Sequence, residues 1–218
     1  MQLQIRDLVV ARAGRRIIEG LSFELTSGEA LLLTGRNGAG KTTLIRTLAG
    51  YLEAQSGTIA LHGWDRDRDL REACHYVGHL DSNKASLTVL ENLRFWQAYL
   101  GHAEQAAAAR DDRLWLALDK FEIDPLADIP AGYLSAGQKR RLGLARLLVA
   151  ERPVWLLDEP TVSLDARSTG LLARLIDAHV AGGGLVVAAT HLPLGLIKSG
   201  ELRLGDEVKA AAAGRAAP

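Results

Sequence analysis

One stretch constrains the fold of this 218-residue chain more than any other: residues 30–48, ALLLTGRNGAGKTTLIRTL. The apolar run from Ala30 to Leu33 predicts a buried strand, and apolar residues at helical spacing after Thr42 predict a helix. Between them lies the pattern Gly-x-x-x-x-Gly-Lys-Thr. A strand, this turn and a helix in that order are typical of a phosphate-binding loop in an α/β protein.

The residue types of this loop suit a polyphosphate. Glycines permit backbone torsions that point successive N–H groups at phosphate oxygens, and the helix N-terminus adds positive potential. Lys41 would place its charge at the outer phosphates, and the Thr42 hydroxyl would ligate Mg²⁺. We therefore predict that a nucleoside triphosphate contacts Gly35, Arg36, Asn37, Gly38, Ala39, Gly40, Lys41, Thr42 and Thr43.

Composition excludes several other functions. The formal net charge is +0, so no overall field favours nucleic acid, and we expect no nucleic-acid partner. The single cysteine, Cys74, cannot form an internal disulfide, and it lacks the second cysteine of a c-type haem attachment pattern. We expect no direct haem binding. Neither a secretory signal nor an apolar run of about 18 residues is present, so membrane association would require a partner.

The apolar patterns divide the chain into strand-like and helix-like parts. Strands are predicted at residues 3–10, 20–25, 30–33, 57–63, 75–79, 154–157, 185–190 and, as an edge strand, 201–205. Helical patterns cover residues 87–118, including the alanine-rich run 103–109, and then 136–150 and 166–180, and the tail from Ala211 is expected to be unstructured. This layout predicts an α/β core in two pieces, 1–79 and 152–218, with a mostly helical segment, 80–151, between them.

A second site is predicted where the apolar strand 154–157 ends in Asp158 and Glu159. Ligands lie at the carboxyl ends of parallel strands, and adjacent strand residues point in different directions. The two carboxylates should therefore differ in task. Asp158 would hold Mg²⁺, and Glu159 would polarise the attacking water.

The segment Leu134-Ser135-Ala136-Gly137-Gln138 precedes a predicted helix, which Ser135 can cap. Such a helix start can also bind an anion. One nucleotide cannot easily use two such devices of one chain, so a second copy of the chain would supply this one. The following basic run, Lys139 to Arg141, is expected to be a solvated helix face.

The order and spacing of five motifs resemble those of ABC-transporter ATPase subunits. In chain order these motifs are GRNGAGKTT, LSAGQ, LLDEP, Ser163-Leu164-Asp165 and Thr190-His191. The resemblance spans essentially the whole chain. It implies the ABC ATPase fold: a RecA-like P-loop NTPase core of class α/β, an inserted helical subdomain and a small antiparallel β subdomain.

The same resemblance implies a head-to-tail homodimer that holds two ATP molecules between its chains. Ser135 and Gly137 would then contact the γ-phosphate of the other chain's ATP, and Ala136 and Gln138 belong to the same nucleotide-binding segment. Asp165 belongs to the loop that crosses between subunits, and His191 would contact the γ-phosphate and help orient the water.

Two positions depart from the ABC pattern. Where these ATPases commonly have an aromatic residue to stack on adenine, this chain has Arg12, which either lies flat on the base or is solvated. Where they usually have a glutamine that touches magnesium and water, counting back from Leu87 gives His79. We expect His79 to contact the site, since histidine can donate, accept or ligate.

A narrower resemblance is carried by YVGHLDSNKASLTVLENLRFW, LSAGQKRRLGLARLL and PVWLLDEP. These segments are similar to the ATP-binding subunit of the haem-exporter complex of bacterial cytochrome c maturation. This similarity implies a membrane-spanning ABC partner, a peripheral position on the cytoplasmic face of the inner membrane, and coupling to haem export or to release of a haem-loaded chaperone. The alternative is the ATPase subunit of another ABC importer or exporter.

Overall fold

The computed structural model describes residues 1–64, 69–101, 107–191 and 193–205. Residues 103–106 of the alanine-rich run and the tail from Ala211 lie outside the described residues. The strands are β1 (Gln2–Arg12), β2 (Arg15–Thr26), β3 (Glu29–Thr34), β4 (Ser56–His62), β5 (Cys74–Val77), β6 (Val154–Asp158), β7 (Leu185–Ala189) and β8 (Gly200–Arg203). The helices are α1 (Lys41–Leu48), α2 (Leu70–Ala73), α3 (Val89–Leu100), α4 (Ala107–Lys120), α5 (Ala136–Ala145) and α6 (Ala166–Ala181).

Five strands form a parallel sheet in the order β5-β6-β7-β3-β8. Every residue of β6 and β7 is buried, as expected for parallel strands covered on both faces. Trp155 and Leu157 pack in a core with the helical segment, whereas Val154 and Leu156 pack in a second core with α1 and the antiparallel sheet. The predicted final edge strand is confirmed, because β8 lies outermost beside β3.

Three strands form an antiparallel sheet in the order β2-β1-β4. The predicted start of the second strand at residue 20 is wrong, because β2 begins at Arg15. Ala13 and Gly14 both have positive φ, 48° and 75°, which suits a two-residue hairpin turn. The turn therefore needs only those two residues, and Arg12 pairs directly with Arg15 across it.

Helices α3, α4 and α5 follow β5 and precede β6 in the chain. Their apolar faces, together with Phe121 just after α4, fill one core that includes Leu93, Leu114 and Leu118. The single helix predicted over 136–150 is shorter than expected, because α5 ends at Ala145 and a 3-10 turn continues to Leu148. Within the described ranges, none of the helices combines the length and apolar character that crossing a bilayer requires.

Candidate active site

Three neighbouring strands of the parallel sheet end at one cleft. The strand β3 leads into the glycine-rich loop, β6 ends at Asp158, and β7 is followed by Thr190 and His191. Because β6, β7 and β3 are adjacent, their carboxyl ends bring together residues that lie more than 100 positions apart in sequence. Open parallel sheets bind their ligands at this edge.

The glycine-rich loop is shaped by its close contacts. Gly35 has a φ of 124°, and a Cβ atom there would lie only 2.2 Å from the carbonyl oxygen of Leu204. Gly40, with a φ of 101°, is the N-cap of α1. Because glycine has no side chain, it makes no side-chain hydrogen bond to the first N–H groups of the helix. The first N–H groups of α1 therefore keep their capacity to bind an anion.

Lys41 extends back over this loop. Its side chain is buried, with 6% of the residue exposed, and Nζ donates to the carbonyl oxygens of Gly35 at 2.8 Å and Arg36 at 3.3 Å. Nζ also lies 3.2 Å from Nε2 of His191. Buried ammonium groups need such partners, so the positive charge is held in place beside the loop.

Asp158 and Thr42 contact each other where β6 ends. The Thr42 hydroxyl donates to Oδ1 of Asp158 at 2.9 Å. The other carboxylate oxygen, Oδ2, is buried and has no hydrogen-bond partner among the described residues. Leaving a buried carboxylate oxygen unpaired is costly, and a divalent cation would satisfy it. A carboxylate and a hydroxyl are oxygen ligands of the kind that Mg²⁺ prefers, so these residues fit that ion.

The described residues contain no group of three or more His, Cys, Asp or Glu side chains placed to hold a metal ion. Mg²⁺ does not require such a group, because it usually takes one or two protein carboxylates and completes its shell with substrate phosphates and water. The pair of Asp158 and Thr42 next to the phosphate loop matches that arrangement.

Glu159 contacts a different residue from its neighbour Asp158. Its Oε1 lies 3.3 Å from Nε2 of His191, whereas the neighbouring Asp158 meets Thr42, so the two carboxylates have different surroundings as expected. The backbone of Glu159 is left-handed, with a φ of 48°, and its N–H donates to the carbonyl oxygen of Ala189 at 2.9 Å. Glu159 and His191 are partly exposed, so both are accessible to a substrate.

A cleft of about 620 Å³ contains the phosphate loop and Glu159. Arg12 and Ile17 border it at the β1–β2 hairpin, so the hairpin lies beside the place where a base would extend. His79 is exposed in the loop after β5 and is not among the described residues that line the cleft. Its contact with the site stays a prediction. The lining consists of Arg12, Ala13, Ile17, Asn37, Gly38, Gly40, Lys41, Thr42, Thr43 and Glu159.

The segment 135–138 is organised by local hydrogen bonds. The Ser135 hydroxyl accepts from the N–H of Gln138 at 3.3 Å, and the Gln138 side chain accepts from the N–H of Ser135 at 2.8 Å. This capping box begins α5, as the sequence predicts for a capping serine. None of the residues 135–138 lines the cleft of the same chain.

Asp165 caps α6 through a 2.7 Å hydrogen bond from the N–H of Ser168. Hydrogen bonds from Ser168 lower the pKa of the Asp165 carboxyl. A Cβ atom at Gly137 would lie 3.1 Å from the carbonyl oxygen of Ser163, so the start of α5 packs closely on the turn before Asp165. The structure therefore joins two segments that the ABC resemblance assigns to the contact between chains.

The expectation of a solvated basic run is wrong for Arg140, which is only 2% exposed. Its neighbours Lys139 and Arg141 are partly exposed. Gly137, Arg140 and Leu144 share one face of α5 at a spacing of three and four, and this spacing was the available signal that Arg140 points inward.

Comparison with known proteins identifies the family of the chain. The family described as ABC transporter matches residues 18–162. The cytochrome c biogenesis ATP-binding export protein CcmA of Rhodopseudomonas palustris (strain HaA2) is 49% identical over 205 residues, which cover 94% of this chain and 98% of that protein. The chain belongs to the CcmA family of ABC transporter ATP-binding proteins.

Solved structures show the same fold. An ABC transporter ATP-binding protein from Pyrococcus furiosus has a TM-score of 0.79 and 24% identity, covering 94% of this CcmA-family chain and 98% of its own. An ATP-binding cassette solved as a dimer in a post-hydrolysis state with ADP and phosphate has a TM-score of 0.76 and 22% identity, covering 93% and 94%. The predicted ABC ATPase fold and family are confirmed: this CcmA-family chain is an ABC-type ATPase and binds ATP.

Proposed function

We propose that this chain hydrolyses ATP to power a membrane complex of c-type cytochrome biogenesis, and that the cycle drives haem export or release of a haem-loaded chaperone. The observation that carries the hydrolytic part is the convergence of Lys41, Asp158, Glu159 and His191 at one edge of the parallel sheet. The biogenesis part is supported by the name of the 49%-identical relative, an export protein of that process. That name favours this function over a subunit of another ABC importer or exporter.

The residues of the cleft would divide the work of hydrolysis. The loop 35–43 and the N-terminus of α1 would bind the phosphates, with the Lys41 ammonium beside the outermost one. Thr42 and Asp158 would hold Mg²⁺, which supplies positive charge to offset that of the phosphates. Arg12, at the hairpin, would lie against the base.

Glu159 would polarise the attacking water and accept its proton, because its carboxylate lies within the cleft and is partly exposed. His191, 3.3 Å from that carboxylate and 3.2 Å from Nζ of Lys41, would keep both groups oriented towards the γ-phosphate. His79, in the loop after β5, would approach the same water from the side of the helical segment.

A second copy would complete each site in a head-to-tail homodimer. Residues 135–138 form a partly exposed helix start that does not line the cleft of its own chain, so they would be available to another chain's ATP. Asp165 would lie at the same junction, since the turn before it packs against Gly137. This arrangement needs two ATP molecules and two chains.

The membrane-spanning partner would bind a groove of about 610 Å³ that opens between α1, β5 and α3. Tyr51 and Tyr99 are 68% and 70% exposed at this groove, and Trp96 lies beside them. Exposed aromatic residues and arginines, here Arg71, are enriched in protein interfaces. The chain would then be peripheral on the cytoplasmic face of the inner membrane, and haem would be handled by the partner.

We also propose that the two pieces 1–79 and 152–218 form the core and that 80–151 is a separate helical subdomain. The support is that β5, β6 and β7 share one sheet, while α3, α4 and α5 are inserted in the chain between β5 and β6.

The test of hydrolysis is Glu159→Gln, which keeps the size of the side chain and removes its basicity. Loss of a general base lowers a rate by about 10²–10⁴-fold, and we expect that loss in phosphate release while ATP affinity is retained. The control is Glu19→Gln, an exposed carboxylate on β2. Turnover by Glu159→Gln at the rate of the unmodified chain would contradict the proposed role.

A further inference from the structure

Arg140 is the largest fully buried side chain of the described residues. A guanidinium has five N–H donors, and the structure gives this one five acceptor contacts. The residue lies on α5, five positions after Ser135. Because a buried charge is costly unless it is hydrogen-bonded, the five acceptors are what stabilise the guanidinium in this position.

Three of the contacts lie where the strand β6 ends. Arg140 donates to the carbonyl oxygens of Glu159 at 2.6 Å, Pro160 at 3.1 Å and Asp158 at 3.4 Å. These are the residues that carry the two site carboxylates and the turn that follows them. The guanidinium therefore holds the backbone of the hydrolytic segment directly.

The other two contacts lie in the loop that follows β5. Arg140 donates to the carbonyl oxygen of Gly78 at 2.8 Å and to Oδ1 of Asp81 at 3.1 Å. This loop contains His79 between the two contacts. One side chain thus joins three segments that are distant in sequence: the helix α5, the end of β6 and the loop 78–81.

Stability alone does not explain a charge at this position. An arginine paired with one carboxylate costs much desolvation, and apolar residues of similar volume are often as stabilising as a buried ion pair. The backbone of Glu159, however, is left-handed, with a φ of 48°, and such strain persists only where the surroundings hold it. The hydrogen bond from Arg140 to the carbonyl oxygen of Glu159 stabilises this conformation.

We propose that Arg140 is a positioning residue that keeps Glu159 in the backbone conformation that presents its carboxylate to His191. The inference rests on the proposed hydrolytic role of Glu159. Because α5 begins with the segment 135–138, the same guanidinium transmits any shift of that helix, as it engages a second chain's ATP, to the hydrolytic carboxylate and to loop 78–81.

The test compares Arg140→Lys with Arg141→Lys in the full chain. Lysine keeps the charge but has three donors at one point, so it cannot span the three segments. Arg141 is the matched control, since it lies on the same helix and donates to two backbone carbonyls, of Phe121 and Glu122, away from the cleft. Small misplacements of a reacting group cost up to about 10²-fold, so we expect kcat for ATP to fall about 10–100-fold in Arg140→Lys, with KM and ATP affinity unchanged.

A merely structural role would lower the melting temperature of both variants without this selective loss of kcat. Equal kcat values for Arg140→Lys and Arg141→Lys would overturn the inference. If Arg140→Lys does not fold, Asp81→Ala decides, because it removes one of the five contacts at a partly exposed carboxylate. One lost hydrogen bond predicts a fall in kcat of about fivefold at constant KM, and an unchanged kcat would overturn the inference.

The Glu159→Gln variant, assayed in parallel, separates the two proposals. Normal turnover by Glu159→Gln would remove the hydrolytic role itself. If Glu159→Gln loses turnover while Arg140→Lys and Asp81→Ala keep the kcat of the unmodified chain, only the proposed role of Arg140 would be contradicted.

Discussion

Two helix starts of this chain look alike in sequence and differ in structure. Both segment 35–43, which leads into α1, and segment 135–138, which begins α5, combine glycine with a hydroxyl residue at a helix N-terminus. At α1 the N-cap is Gly40 and no side-chain cap is present among the described residues. At α5, Ser135 and Gln138 form a complete capping box.

The reach of the side chains differs as well. Lys41 and Thr42 contact His191 and Asp158, which are 150 and 116 positions away, whereas Ser135 and Gln138 contact each other across three positions. The first device is therefore assembled within one chain by the order of the strands. The second satisfies itself locally and presents its outer face to solvent. This difference supports the proposal that each chain carries half of two sites.

Lys41→Ala tests the half that is assembled in cis, and it has the largest expected effect among the variants that compare the two helix starts. A charged hydrogen bond contributes about 1.5–3 kcal/mol, so ATP should bind about 10–150-fold more weakly. Titration with a fluorescent ATP analogue measures the affinity, and Lys198→Ala, at an exposed position, is the control. Unchanged affinity in Lys41→Ala would show that the loop does not hold the phosphates.

Ser135→Ala tests the other half, and Thr88→Ala is its matched control because Thr88 forms the same kind of capping box at α3. Each variant should lose about 1 kcal/mol of unfolding free energy, the usual cost of an N-cap. Only Ser135→Ala should also lower turnover, by about tenfold, since it loses a hydrogen bond to the partner's ATP. Urea unfolding and phosphate release measure the two effects. Equal turnover in both variants would reduce Ser135 to a helix cap.

The smallest expected effect concerns a contact between the core and the helical segment that carries α5. His75, on β5, is fully buried and its Nε2 lies 2.8 Å from the carbonyl oxygen of Ala150. Burial lowers the pKa of His75 to about 3, from an ordinary value near 6.5. The unfolded chain therefore binds a proton between these values when the folded chain does not, so stability is full above pH 6.5 and falls as the pH drops towards 3.

One such group contributes at most about 1.4 kcal/mol of unfolding free energy per pH unit. Urea unfolding at pH 7.5 and pH 5.5 measures the slope, and His75→Leu should reduce it although it also lowers stability at neutral pH. His62→Leu, at an exposed position on β4, is the control for replacing a histidine by leucine. An identical slope in His75→Leu and the unmodified chain would contradict a buried neutral histidine.

The sequence predicted the parts of the site that depend on local patterns. The strand before Gly35, the turn to Lys41 and the carboxylates after β6 all follow from short-range spacing and from the rule that ligands lie at carboxyl ends. The inward direction of Arg140 was missed although the spacing of Gly137, Arg140 and Leu144 indicated it, because four of its five acceptors are carbonyl oxygens of residues 78 and 158–160 that only the folded chain brings near.

The exact bounds of some strands and helices could also not be predicted from the sequence pattern. The strand β2 extends through Arg15 and Arg16 because a two-residue hairpin pairs Arg12 with Arg15, which polarity alone did not indicate. The helix α5 ends at Ala145 although apolar residues continue, because the last part tightens into a 3-10 turn.

Sedimentation of Glu159→Gln with and without ATP measures whether one chain holds only half of each site. We expect a species of one chain's mass without nucleotide or with ADP, and of twice that mass with ATP and Mg²⁺, lost again when Ser135→Ala is added. An ATP-saturated Glu159→Gln chain that sediments as a single chain at all concentrations, while the unmodified single chain hydrolyses ATP, would contradict the proposal that one chain holds only half of each site.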